Sequence, residues 1–103
     1  MSPLIEQHRP AIIELCRKYR VARLELFGSA ATEAFDPASS DFDFLVEYEP
    51  DADLGPWLKR FFDLRDELRT LLGRKVDLVM PGGMKNPYFI REVNRTRRLL
   101  YAA

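Results

Sequence analysis

Apolar residues recur at helical intervals through Ala11–Arg20, where Ile12, Ile13, Leu15, Cys16 and Tyr19 are spaced to share a side. Pro10 stands just ahead of them, where a first helical turn accepts proline. The pattern then changes. Arg23-Leu24-Glu25-Leu26-Phe27 alternates and stops at Gly28, which predicts a strand. A short helix is expected over Ala30–Ala34, starting at Ser29, and Asp36-Pro37-Ala38-Ser39-Ser40 has the composition of a loop. Alternation returns in Phe42–Tyr48, a second strand. It places Phe42, Phe44 and Val46 on one face and Asp41, Asp43, Leu45 and Glu47 on the other.

Beyond a connector at Pro50–Gly55, Pro56 opens the clearest helical pattern. Trp57, Leu58, Phe61, Phe62, Leu64, Leu68, Leu71 and Leu72 trace one apolar side, and Gly73 supplies the stop. Val76-Asp77-Leu78-Val79-Met80 predicts a third strand and Pro81-Gly82-Gly83 a turn. Asn86 with Pro87 starts a last helix that runs to about Arg97. Helices interleaved with strands give an α/β or α+β domain in which helices pack on one sheet.

Composition narrows the class more than the function. A chain of 103 residues, 47% hydrophobic and 31% charged, suits one compact domain with a modest core. Sixteen basic residues balance sixteen acidic ones, so net charge gives no reason to expect a nucleic acid. The distribution is uneven, however. Every charge from Asp36 to Asp53 is acidic, whereas Lys85 to Arg98 holds five basic residues and one glutamate. A cation site at one end and an anionic partner at the other would use that polarity, although two solvated faces would produce it too. Cys16 and His8 are each the sole residue of their type. That excludes an internal disulfide or cysteine-built zinc site, and leaves little material for Ser-His or Cys-His chemistry. Cys16 reads as a core thiol. Without a membrane-length apolar run or a signal-peptide pattern, a cytoplasmic protein with no membrane role is expected.

The aspartates are the anomaly. Asp41 and Asp43 leave the same face of a strand that is otherwise apolar, and like charges so close repel strongly where water is scarce. Asp77 repeats the pattern in the third strand. Three carboxylates on neighbouring strands need a counter-charge, and hard oxygen ligands suit Mg²⁺ or Mn²⁺; a D-x-D pair with a third aspartate can hold two ions. A calcium loop fails on spacing. The twelfth position is Ala52 counted from Asp41 and Phe62 counted from Asp51, where a glutamate is required. Gly28-Ser29 complements the acids. Glycine at a strand end lets a ligand approach the backbone, and Ser29 offers an amide and a hydroxyl at a helix start, where phosphate binds well. The segment is no Walker loop, since G-x-x-x-x-G-K is absent.

Gly28-Ser29, a spacer, Asp41-x-Asp43 and a later Asp77 together resemble the nucleotidyltransferase fold shared with DNA polymerase beta. More narrowly, the chain resembles the minimal nucleotidyltransferase (MNT) family of antitoxins. The likeness runs through "LFGSA", "SDFDFLV", "GRKVDLV", "KNPYFIREV" and the terminal "LLY". It implies an α+β fold, a small mixed sheet packed by helices, with residues 1–103 forming a single nucleotidyltransferase domain. It also implies that Gly28 and Ser29 hold the triphosphate of ATP. Asp41, Asp43 and Asp77 would ligate the metal, two Mg²⁺ ions with Mn²⁺ as a substitute, and Asp77 would help deprotonate the incoming hydroxyl. Members partner a HEPN-type toxin, and some move AMP onto a tyrosine of it, so a hetero-oligomer is expected. The family often reads G-S-x-A-R where this chain has Thr32 in fifth place, and Lys59, Arg60, Arg74 and Lys75 are the cations considered as compensation.

Three functions fit these residues. The first is a Mg²⁺-dependent adenylyltransferase acting on a protein hydroxyl, which the complete set of aspartates favours. The second is a catalytically weak antitoxin that neutralises its toxin by binding alone, which Thr32 favours. The third, a transferase for a small molecule such as an aminoglycoside, leaves little chain for an acceptor pocket.

Overall fold

The computed structural model describes residues 2–32 and 41–103. The loop expected at Asp36–Ser40, and the end of the short helix expected at Ala30–Ala34, lie outside the described residues. Helix α1 spans Pro3–Lys18, strand β1 Val21–Phe27, β2 Phe42–Tyr48, helix α2 Lys59–Leu72, β3 Val76–Val79, helix α3 Pro87–Thr96 and β4 Arg98–Ala102. The strands form one mixed sheet in the order β3-β2-β1-β4. β1 runs antiparallel to both β2 and β4, while β2 and β3 are parallel. A parallel pair cannot be closed by a tight turn, and α2 makes the crossover. The α+β expectation holds.

Alternation in β2 divides the interior. Phe42, Phe44 and Val46 are fully buried and join Leu24, Leu26, Val76 and Leu78 against α1 and α2. The opposite face carries a smaller apolar cluster of Phe27, Leu45 and Val93, the last from α3, flanked by Val79 and Met84. The side of the sheet that carries the aspartates is therefore itself covered, and Asp43 and Asp77 sit at the border of that second core.

Several boundaries differ from expectation. α1 begins at Pro3, eight residues before Ala11, and Pro10 lies inside it. Ile5, Ile12 and Cys16 are completely buried at spacings of seven and four, so one apolar stripe continues across the proline. Burial of that stripe outweighs the single backbone hydrogen bond that Pro10 forgoes. The long helix begins at Lys59 rather than Pro56. Trp57 and Leu58 have φ of 55° and 56°, left-handed values that interrupt the helical path. Trp57 is 95% exposed in consequence, so the expectation that it packs on the sheet is wrong. The buried stripe is Phe61, Leu64, Leu68 and Leu72. The third strand stops at Val79, one residue short of Met80, and the last helix at Thr96.

Strand β4 was not anticipated. It follows α3 with only Arg97 between them, and its Arg-Leu-Leu-Tyr-Ala has neither clean alternation nor a turn signal ahead of it. Pairing with β1 decides its conformation. Among the described residues, no helix is long and apolar enough to cross a membrane.

Candidate active site

Register brings the acids together. Asp43 stands opposite Asp77 in the parallel β2–β3 pair, and opposite Phe27, the last residue of β1, on its other side. Immediately after Phe27 the chain enters a 3-10 turn, Gly28–Ala31, so the Gly28-Ser29 step begins beside Asp43. Sequence reasoning placed a helix start here; the turn that forms is a single tight one. Gly28 has φ +75°, and a Cβ built on it would stand 2.9 Å from Asp43 Oδ2. Both facts require glycine. Its amide donates to Thr96 Oγ1 at 2.9 Å, and that hydroxyl donates in turn to the carbonyl of Glu92 at 2.9 Å. α3 thus fixes the turn. The Ser29 carbonyl accepts from both the amide and the hydroxyl of Thr32, each at 3.1 Å.

A second tie holds α3 in place. Glu25, almost wholly buried on β1, accepts Arg97 Nε at 2.8 Å and Arg23 Nε at 3.0 Å. The Arg97 contact holds its carboxyl below the usual glutamate range, with Arg23 adding to the effect against burial. Phe89 of α3 also meets Phe27 edge to face, with ring centroids 5.8 Å apart. The helix that closes the site is pinned at both ends.

The acids sit in an environment that disfavours their charge. Burial pushes the Asp43 carboxyl up to about 6, and the charges of Asp77 and Asp41 and a hydrogen bond with Asp77 push in the same direction. Lys75 opposes them. The Lys75 ammonium lies 3.9 Å from Asp41 Oδ2 on the exposed side. Among the described residues no three carboxylate, imidazole or thiolate groups are gathered closely enough to hold a metal ion as they stand. The donor chemistry nonetheless fits a hard divalent ion. Two facing carboxylates, one resisting ionisation chiefly because it is buried and further because the other is beside it, are what such an ion relieves. Completing a set of three would bring Asp41 towards Asp43 and Asp77.

Next to the acids is a cavity of about 400 Å³, within the range of small-molecule sites. It wraps around β3. Asp43, Asp77, Val79, Phe27 and Phe89 line it on the α3 side of the sheet, and Leu78, Phe61, Phe62 and Arg65 on the α2 side. Sequence reasoning missed Phe62, Arg65, Phe89 and Thr96 as parts of this site. Their only sequence signal is helical spacing, which says that a side chain flanks the core but not what it faces. The cations proposed as compensation are otherwise engaged. Lys59 pairs with Asp63 at 2.8 Å, and Arg60 lies over the Tyr19 ring and donates to the Lys18 carbonyl. Lys75 faces Asp41. Arg74 does not line the cavity.

Residues 10–100 match the family model of the nucleotidyltransferase domain. A Methanocaldococcus jannaschii protein provisionally named a protein adenylyltransferase is 40% identical over 93 residues, covering 90% of this chain and 87% of its own. A solved structure provisionally assigned as a minimal nucleotidyltransferase superposes with a TM-score of 0.71 at 30% identity, over 91% of this chain and 90% of that one. Two toxin–antitoxin structures share the fold at lower identity. One, with AMP-PNP, gives a TM-score of 0.69 at 23% identity, over 92% of this chain and 73% of that one. The other, a tri-AMPylated Shewanella oneidensis HEPN toxin in complex with an MNT antitoxin, gives 0.64 at 21% identity, over 95% and 72%. A nucleotidyl-transferring enzyme is what the family match and the relative support. With its Gly-Ser turn set against paired aspartates, this chain belongs to the nucleotidyltransferase domain family.

Proposed function

We propose that the chain is an antitoxin that transfers AMP from ATP to a hydroxyl, expected to be a tyrosine's, on a HEPN-type toxin with which it forms a complex in the cytoplasm. One observation carries the reading. Asp43 and Asp77 face each other across a parallel strand pair, directly beside the Gly28-Ser29 turn and a cavity large enough for part of a nucleotide. The AMPylated toxin and the AMP-PNP seen with proteins of this fold supply the acceptor and donor classes.

Transfer forms a bond from the acceptor oxygen to the α-phosphorus as the bond from that phosphorus to the bridging oxygen breaks. The electron pair leaves with pyrophosphate, and the hydroxyl proton passes to a carboxylate, assigned here to Asp77. Gly28 contributes room beside Asp43, and Ser29 an amide and a hydroxyl for phosphate oxygens. Asp41, Asp43 and Asp77 would hold Mg²⁺, which when bound supplies neutralising charge at the phosphates. The work left to the protein is positioning.

The test is incubation with ATP and Mg²⁺, with and without the toxin, read by intact mass. One or more AMP units on the toxin, absent for an Asp43→Asn variant, is the expected result. A toxin that is bound and silenced with no gain in mass would establish neutralisation by occlusion instead.

A further inference from the structure

Arg65 is the one cation among the described residues lining the cavity that holds Asp43 and Asp77. It projects from α2 one turn after Phe61, and its guanidinium carbon lies 4.9 Å from the centroid of the Phe62 ring. Contact with an aromatic face consumes no N–H donor. Its one carboxylate partner among the described residues is the adjacent Asp66. Nε and Nη2 share a single oxygen of that group, both at 3.2 Å, and Asp66 is 61% exposed. Such a pair holds a side chain weakly. Nη1 has no protein acceptor among the described residues, and no ion pair joins Arg65 to Asp43 or Asp77.

The cavity therefore has a cation from α2 on one side of the sheet and two acids on the other, unjoined. A ligand that satisfies both ends must carry negative charge towards α2 and bring compensating cations to the acids. A polyphosphate escorted by a divalent ion does both; a neutral sugar or base does neither. We propose that Arg65 binds the β- and γ-phosphates of the nucleotide, and so holds the pyrophosphate as it departs. This rests on the ATP-dependent transfer proposed above. The forked guanidinium suits the task, since two of its N–H groups can meet two oxygens of one phosphate. The Phe62 ring beneath it limits the directions in which it can point.

Calorimetric titration of the full chain in Mg²⁺ with ATP, AMP and adenosine tests this, comparing the parent with Arg65→Ala and Arg65→Lys. ATP should bind Arg65→Ala about 10- to 100-fold more weakly, while AMP and adenosine change by less than about twofold. Arg65→Lys, which keeps the charge without the fork, should fall between. Should Arg65→Ala prove unstable by thermal melting, the ATP-selective loss in Arg65→Lys is the deciding result. Unchanged ATP affinity, or an equal loss for all three ligands, overturns the assignment: the first shows no contact, the second a contact to the nucleoside. A parent chain that binds no ATP and transfers no AMP overturns the underlying function instead, and the two failures are distinguishable.

Discussion

Gly28 approaches Asp43 so closely that a Cβ on the glycine would stand 2.9 Å from the carboxylate oxygen. The first motif of the site thus shapes the second by leaving it space. Gly28→Ala must relax a φ of +75° and push the Asp43 carboxylate aside together. It should cost about 1 kcal/mol or more in denaturant unfolding and weaken Mn²⁺ binding. A variant with parental stability and parental Mn²⁺ affinity would show that the turn and Asp43 are independent.

Two carboxylates give stability opposite slopes with pH. The folded-state pKa of Glu25 is depressed, so its contribution is present above the ordinary glutamate range and lost as pH falls through the folded value. Asp43 is raised to about 6, so in metal-free buffer stability falls as pH rises from about 4 to about 6. The full shift corresponds to about 3 kcal/mol at most, lessened by solvent at this half-buried group. Melting curves across pH should flatten above pH 4 in Asp43→Asn and below pH 5 in Glu25→Gln. Parental curves for both would remove the electrostatic account of the site.

An Asp41→Asn, Asp43→Asn double variant should keep its fold and lose Mn²⁺ binding. In metal-free buffer at neutral pH it should melt no lower than the parent, because the repulsion around Asp43 is gone. Retained Mn²⁺ affinity would place the ion elsewhere.

Phe61 in α2 and Trp57 in the turn just ahead of it make a pair of controls. Phe61 is 8% exposed and Trp57 95%. Phe61→Ala should cost about 3–5 kcal/mol, and Trp57→Ala should stay within about 0.5 kcal/mol. Equal losses, read from urea midpoints, would contradict the left-handed break at Trp57 and Leu58.

Much of the fold was legible because amphipathic periods and turn residues agree along most of the chain. β1, β2, α2 and α3 all announce themselves this way. Asp43 and Asp77 stood out because a charge in an apolar strand contradicts its surroundings; Asp41, expected on the same strand face, lies just ahead of β2 with its side chain 43% exposed. What remained hidden depends on distant partners. β4 is a strand because β1 has an edge to offer, and Trp57 is exposed because two backbone angles turn it outward. Thr96 and Arg65 enter the site through contacts between elements, with 68 residues separating Thr96 from the amide it accepts. No local window contains that information.

Thr32 offers a last test. Its hydroxyl donates to the Ser29 carbonyl at the end of the turn. With Arg65 already on the phosphates, Thr32→Arg should tighten ATP binding by no more than about twofold in the parent. In an Arg65→Ala background it should restore about tenfold, the scale of one charge-assisted bond. Titration of the parent and the three variants decides: equal gains in both backgrounds would mean that the two positions meet different parts of the ligand.

β3 is an edge strand of the sheet, and the cavity wraps around it. A reaction centre at the bottom of a shaft chooses its substrates by what can diffuse down to it. One on a border instead admits a hydroxyl presented by a body as large as itself, and sorts acceptors by the shape of a whole approaching surface. Water has the same access. On the transfer proposed above, solvent would compete for the nucleotide's phosphorus until such a body covers the border, so docking would serve as the stopper of the reaction vessel as well as the delivery of its substrate.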